Sequence, residues 1–203
     1  MLYLYFCYSS VLLFFLLLSS AFFYSPLLSS ASFCLHKIVG SGPYPTVRLE
    51  EDVEMTFSNE VMLLETAWLE LRNTSLPNHA NFTVQGDGYL RFYDDGANNN
   101  AYSFGNIVID SDGALVSVNS TVQFQANTLE VNSGGTVYVS GELAVVAPSV
   151  TLAECTLRAS TETITAMLIF DADDSVSISG NVSLQNLAVA FEGPVEVMSG
   201  NVY

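Results

Sequence analysis

The chain has 203 residues, half of them apolar and only 13% charged, which excludes wholesale disorder and leaves room for one good-sized domain. Its 21 acidic residues against five basic ones give a formal charge of −16. Such a surface repels phosphate backbones and anionic headgroups, so nucleic acid is excluded as a natural partner. Lys37 is the single lysine, and Arg48, Arg72, Arg91 and Arg158 are scattered, so no basic patch can be assembled.

The first segment reads as an export signal. No charged side chain occurs from Met1 to Leu35, and Val11 to Tyr24 is a dense apolar stretch of signal-peptide size. Ser29-Ser30-Ala31-Ser32 supplies small residues for cleavage after Ala31 or Ser32. Basic residues, which ordinarily precede the apolar core, are missing, so the alternative is an uncleaved anchor; the uncharged stretch exceeds the ~20 residues a membrane helix needs. Residues 1–32 are therefore expected to be a signal peptide or signal anchor, with 33–46 a linker. Either way the remainder is delivered to the extracellular side, and contact with a membrane is confined to this segment if it stays uncleaved.

Residues 47–106 read as irregular early coils or an N-terminal cap with a projecting loop. Val53, Met55 and Phe57 alternate as a strand does, whereas Leu49, Val53, Phe57, Val61, Leu64, Trp68 and Leu71 also share one helical face. Gly86 to Asn100, with its Asp94-Asp-Gly-Ala-Asn-Asn-Asn100 run, has the composition of a loop leaving the body of the fold.

From Ile107 to Tyr203 the texture is regular. Pairs of apolar residues separated by one residue recur, most of them followed closely by Gly, Asn, Asp or Ser: Val116/Val118, Val122/Phe124, Leu129/Val131, Val137/Val139, Leu143/Val145, Val150/Leu152, Val176/Ile178, Val182/Leu184, Leu187/Val189 and Val195/Val197. Each is a short strand with one buried face. Val116 to Val137, Val122 to Leu143, Leu129 to Val150 and Leu143 to Ile164 are each about 21 residues apart, on the scale of solenoid repeats. The spacing predicts an all-β, right-handed parallel β-helix with about three short strands per ~21-residue coil. Strands this short pair poorly in hairpins but well in a stack. Val202-Tyr203 stops inside the strand pattern, so this region is expected to be truncated at its C-terminal end or to pair there with another surface.

Asn132-Ser-Gly-Gly-Thr-Val-Tyr-Val-Ser-Gly-Glu-Leu-Ala-Val-Val146 resembles passenger segments of autotransporter-type adhesins and other right-handed parallel β-helix proteins of the pectin-lyase-like type. Gly180-Asn-Val-Ser-Leu-Gln-Asn186 and Gly193-Pro-Val-Glu-Val-Met-Ser-Gly200 look similar. The resemblance is one of repeat style, and it implies a fold and an extracellular setting without an activity.

Chemistry-bearing residues are sparse. Asp110 with Asp112, and Asp171 with Asp173 and Asp174, are the candidates for calcium, since carboxylate oxygens suit that ion. An EF-hand continuing from Asp110 would need glutamate where Thr121 stands, and solvated turns explain the same residues. Carbohydrate-active β-helix enzymes, polysaccharide lyases or glycoside hydrolases, are the enzymatic alternative. Asp173-Asp174 offers a carboxylate pair, but no histidine lies beyond His79 and the nearest arginine is Arg158. A nucleophilic triad would have to use His36 or His79, the second in a turn-like Pro77-Asn-His-Ala setting. Cys155 reads as a small buried hydrophobe, with Cys34 as its one conceivable disulfide partner if cleavage removes Cys7 and spares Cys34. Sequons for N-glycosylation stand at Asn73, Asn81, Asn119 and Asn181. Thr136 and Thr156 hint at an ice-binding ladder without sustaining one. The expectation is a secreted or cell-surface structural, adhesive or recognition solenoid without catalysis or a firm cofactor, meeting an extracellular protein or glycan surface.

Overall fold

The computed structural model describes residues 2–8, 11–17, 20–23, 34–40, 46–49, 56–72, 79–93, 101–118, 121–160 and 166–203. Every described regular element is a strand. The first seven are β1 (Leu2–Tyr8), β2 (Val11–Leu17), β3 (Ser20–Phe23), β4 (Cys34–Gly40), β5 (Thr46–Leu49), β6 (Thr56–Glu65) and β7 (Trp68–Arg72). Five three-stranded coils follow. They are β8 (Asn81–Val84), β9 (Tyr89–Tyr93) and β10 (Ala101–Ser103); β11 (Asn106–Ile109), β12 (Ala114–Val118) and β13 (Thr121–Gln125); and β14 (Thr128–Val131), β15 (Thr136–Val139) and β16 (Glu142–Val146). The last two are β17 (Ser149–Ala153), β18 (Thr156–Ala159) and β19 (Ala166–Asp171), then β20 (Ser175–Ser179), β21 (Ser183–Gln185) and β22 (Leu187–Glu192). β23 (Val195–Ser199) opens one more.

The strands sort into three sheets of a β-solenoid. Sheet I runs β2-β1-β4-β6-β8-β11-β14-β17-β20-β23, sheet II runs β3-β5-β7-β9-β12-β15-β18-β21, and sheet III runs β10-β13-β16-β19-β22. Pairing is parallel throughout the coils, and only β1 pairs antiparallel, with β2 and β4. Ile107 stands on Leu129 and Leu129 on Val150, so one turn of the stack matches the period of the apolar pairs. Strands this short cannot satisfy their backbone alone, but each finds a ladder partner one coil above and below.

Alternate residues point into the coil and form columns. Val122, Leu143 and Leu168 stack on sheet III, and Leu129, Val150 and Val176 on sheet I, every one fully buried. Each such side chain contributes roughly 1.5–3 kcal/mol on full burial. The earlier coils fill with rings instead. Phe92 lies 5.1–5.6 Å from Tyr102, Phe104 and Phe124, and the buried Tyr102 hydroxyl donates to the Tyr93 carbonyl at 3.2 Å. Small residues follow at the corner from sheet III to sheet I, where Phe104 gives way to Ala126, Ala147 and Ala172, all buried. The corner from sheet I to sheet II turns through a left-handed residue in coil after coil: Glu65, Gly86, Asp112, Gly134, Glu154 and Gly180, with φ between 48° and 84°.

Three expectations need correction, and one open alternative is decided. Val116 and Val118 face outward; Leu115 and Ser117 are the buried pair of β12. Leu115 sits in register between Leu90 and Val137, while Ser117 lies opposite Phe92 and its hydroxyl accepts the Ser140 N–H at 3.3 Å. A hydroxyl with a backbone partner can occupy an inward site from which an unpaired one would be excluded. Leu143 pairs with Leu168, not Ile164, a longer step than the regular period, because the connection between β18 and β19 carries extra residues. Tyr89–Tyr93 is a strand with buried Leu90 and Phe92, so the loop read over Gly86–Asn100 does not begin at Gly86; residues 94–100 lie outside the described residues. Of the two readings open over Val47–Leu71, the described residues take the strand: Val61, Leu63, Leu69 and Leu71 point inward from β6 and β7, while residues 50–55 lie outside the described residues.

At the C-terminal end of the stack the inward positions lose cover. Val195, Val197, Met198, Val202 and Tyr203 are exposed, at 42–70%. The segment read as an export signal carries β1, β2 and β3, which extend sheets I and II on the opposite side. No helix among the described residues is long and apolar enough to cross a membrane.

Side-chain direction in β12 is directly testable. Leu115→Ala should cost about 2–5 kcal/mol, as for other buried leucines, whereas Val118→Ala should cost less than about 1 kcal/mol. Denaturant titration of the two variants checks the assignment, and equal losses would return β12 to the opposite phase. Val139→Asp or Val145→Asp, each placing a carboxylate among fully buried neighbours, should lower the melting temperature sharply.

Candidate functional site

The sequence-based candidates do not converge. Asp110 and Asp112 lie on the corner between β11 and β12, with Asp112 in the left-handed conformation that this corner repeats. Ser111 Oγ donates to Asp110 Oδ1 at 3.2 Å. Asp171, Asp173 and Asp174 are exposed on a different corner, between β19 and β20. Among the described residues no three metal-capable side chains come together. Turn chemistry accounts for both groups: a short Asx side chain tolerates positive φ, and carboxylates on corners stay hydrated.

Two of the sequons can be placed. Asn181 is exposed in the turn after β20. Asn81 is half-buried at the start of β8, where its Oδ1 accepts the Asn106 N–H at 2.7 Å and its carboxamide occupies the space a Cβ would need at Gly105. Asn73 and Asn119 lie outside the described residues. His79 is exposed and its Nδ1 shares a hydrogen bond with Ser103 Oγ at 3.0 Å. Thr136 and Thr156 do stand on one another, but Ala114 and Ser183 flank them, so the ladder stops at this single pair.

Cys155 follows β17, whereas Cys34 begins β4, five interstrand steps away along sheet I, roughly 24 Å at ~4.8 Å per step. A disulfide between them is out of reach. The thiol is free and buried, and desolvation pushes its pKa up to about 11 against partial relief from backbone hydrogen bonds. A group that keeps its proton longer when folded stabilises the fold below its ordinary pKa of 9.0 and loses that contribution as the pH rises toward about 11. Stability should therefore fall over this window more in the wild type than in Cys155→Ala, and a thiol reagent at mildly alkaline pH should modify Cys155 only after denaturant is added. Rapid labelling of the native protein would overturn the burial argument.

A feature that no motif announced lies on the outer face of sheet II. Two rows of outward residues run up this sheet, parallel to the stack. In the first, Trp68 stands on Tyr89, their rings 4.7 Å apart and tilted by 41°. In the second, Glu70, Arg91, Val116, Tyr138, Arg158 and Gln185 follow one another in register. The Arg91 guanidinium lies 6.0 Å from the Trp68 ring centre and donates to Glu70 Oε2 at 3.2 Å. Arg158 lies 5.4 Å from the centre of the Tyr138 ring. Glu70 is 1% exposed and Arg91 about 30%, so the pair is half sunk in the sheet face.

Running obliquely across these rows is an open groove of about 370 Å³, lined by Trp68, Tyr89, Arg91, Val116, Tyr138 and Ser160. Arg91 is the guanidinium that lines it; Arg158 lies over the Tyr138 ring outside the lining, and has no carboxylate partner among the described residues. The groove thus offers ring surfaces edged with donors. No signal within one coil marks its residues; the coil register brings them together, as it sets Tyr138 on Val116.

No protein-family model, no curated protein and no solved structure matches this chain.

Arg91 holds the groove's shape through a nearly buried carboxylate. Arg91→Met should cost roughly 3 kcal/mol by leaving Glu70 under-compensated, and the Arg91→Met, Glu70→Gln pair should recover much of the loss. A thermal-melt double-mutant cycle measures this; additive losses would mean that the contact between the two side chains carries little coupling.

Proposed function

We propose that the protein is a secreted or cell-surface recognition solenoid of the adhesin type, one that holds a ligand on the outer face of sheet II and performs no catalysis. The observation that carries this reading is the aromatic and arginine groove of Trp68, Tyr89, Arg91 and Tyr138, which a rigid parallel sheet presents across several coils. Trp, Tyr and Arg are the residue types that dominate recognition surfaces, since each combines a flat apolar body with a polar handle. Rigid strands hold such groups with little ordering cost on binding.

The extracellular setting rests on the uncharged, apolar first segment, residues 1–32, and its small-residue cleavage site. Cleavage after Ala31 or Ser32 would remove β1, β2 and β3 and leave β4 and β5 to begin the stack. The coils from β8 onward keep their core in that case, because each depends on its neighbours alone. Exposed Asn181 would then be a usable glycosylation site.

Expression in a secreting eukaryotic host tests both parts. The expected product starts at Ser32 or Phe33 and melts within a few degrees of the full chain, and an intact Met1 would refute cleavage. The purified product is next applied to an array of extracellular glycans and matrix proteins beside the Trp68→Ala, Tyr138→Ala variant. Binding that is lost in the variant supports recognition through the groove; binding that persists unchanged places it elsewhere.

A further inference from the structure

We propose that the groove on sheet II binds an uncharged glycan chain laid obliquely across several coils; this rests on the recognition reading above and names the ligand class.

The ligand must match three properties of the site. The first is its surface: ring faces and edges from Trp68, Tyr89 and Tyr138, half-buried and separated by Val116. A sugar ring offers a flat patch of C–H groups that covers such a surface. The second is its polar edge: the Arg91 guanidinium is about 30% exposed, and Ser160 is exposed at the rim. Hydroxyl and ring oxygens around a sugar's edge supply acceptors without bringing charge. The third is its shape. Lining residues run from Trp68 on β7 to Ser160 just after β18, four interstrand steps of about 4.8 Å and so roughly 19 Å. That length, in a volume of only about 370 Å³, fits a narrow extended chain better than a globular partner.

Charge and apolar exposure separate this ligand from its competitors. Stacked bases would suit the same rings, and acidic glycans would suit the arginines. However, a polyanion would approach a molecule of formal charge −16, and Glu70 already neutralises Arg91, the guanidinium that lines the groove. Arg158 lies outside the lining, over the Tyr138 ring, where it helps to hold that ring in place. A protein partner needs a dry apolar centre. None of the large apolar residues that stand exposed among the described ones, Met167, Val195, Val197, Met198, Val202 and Tyr203, lines the groove.

The chain contains one tryptophan, and it is Trp68, so its fluorescence reports groove occupancy directly. The full-length protein is titrated with cellohexaose, xylohexaose, laminarihexaose and mannohexaose, and with the matching trisaccharides. Polygalacturonate, heparin, collagen and fibronectin serve as the anionic and protein probes. The expected result is a saturable change in Trp68 emission with at least one neutral hexasaccharide, weaker with its trisaccharide and insensitive to salt. Tyr138→Ala should weaken it tenfold or more, the factor corresponding to ~1.4 kcal/mol, at an unchanged melting temperature. Arg158→Gln, on a different coil, gives a second variant should Tyr138→Ala fold poorly, and a smaller loss is expected from it. Binding of only polygalacturonate or heparin, steeply salt-dependent and lost in Tyr138→Ala, would overturn the neutral-glycan assignment and leave recognition by the groove standing. Binding of only collagen or fibronectin with the same variant sensitivity would do likewise. A response that both variants leave unchanged would overturn the groove itself as the recognition site, and no response to any probe would overturn the glycan assignment.

Discussion

The fold depends on one constraint, the parallel register that sets each residue on its equivalent in the next coil at about 4.8 Å. Because the strands of the coils are so short, no pair of them is stable in isolation, and the ladder along the stack has to satisfy the backbone. The same register builds the core. It puts Leu129 under Val150 and Val122 under Leu143, so apolar inward positions become continuous columns, and it repeats a left-handed corner from Glu65 to Gly180. Variation in coil length is then allowed only where the ladder is interrupted. The step from Leu143 to Leu168 is longer than that from Val122 to Leu143, and the excess falls in the connection between β18 and β19. Strand pairing on either side is undisturbed.

This constraint explains which parts of the fold are legible in the sequence. Inward columns announce themselves because burial demands apolar residues at every coil, and Val122/Phe124, Leu129/Val131 and Val150/Leu152 are readable for that reason. β12 is ambiguous because Ala114-Leu-Val-Ser-Val118 supports either phase, and the decisive fact, the Ser140 N–H reaching Ser117, is a contact between coils. Tyr89–Tyr93 is hidden behind turn residues on both sides, and its short length gives periodicity little to work with. Over Val47–Leu71 the apolar residues satisfy two periods at once, and stacking on neighbouring strands selects the period of two.

The groove is illegible for a different reason. Outward positions are free of the demand that makes inward ones repeat, so Glu70, Arg91, Val116, Tyr138, Arg158 and Gln185 form a row with no common chemistry. No local motif can reveal a set whose members are each a full coil apart. Only the coil register assembles them, and the register is fixed only once the extra residues before β19 and the phase of β12 are known. The calcium candidates are the opposite case: Asp110 and Asp112 are conspicuous in sequence, and Asp112 stands at a corner that repeats a left-handed backbone conformation.

Register also limits what charge can do on these faces. Like charges on adjacent coils would stand directly opposite each other, an arrangement that destabilises a sheet. The chain mostly avoids it despite its many carboxylates. Glu130 is stacked between Val108 and Thr151, Glu142 between Thr121 and Met167, and Glu70 between Arg48 and Arg91, while Asp171 beside Glu192 is an exception. The arginines obey the same rule, since Val116 and Tyr138 keep Arg91 and Arg158 three coils apart. A parallel stack of this kind therefore resists a continuous cationic track, whereas neutral rings can stack on one another at no electrostatic cost. The proposed recognition along sheet II would be constrained by that asymmetry: contact area would come from the rings, and Arg91 would act as a single oriented donor at the edge.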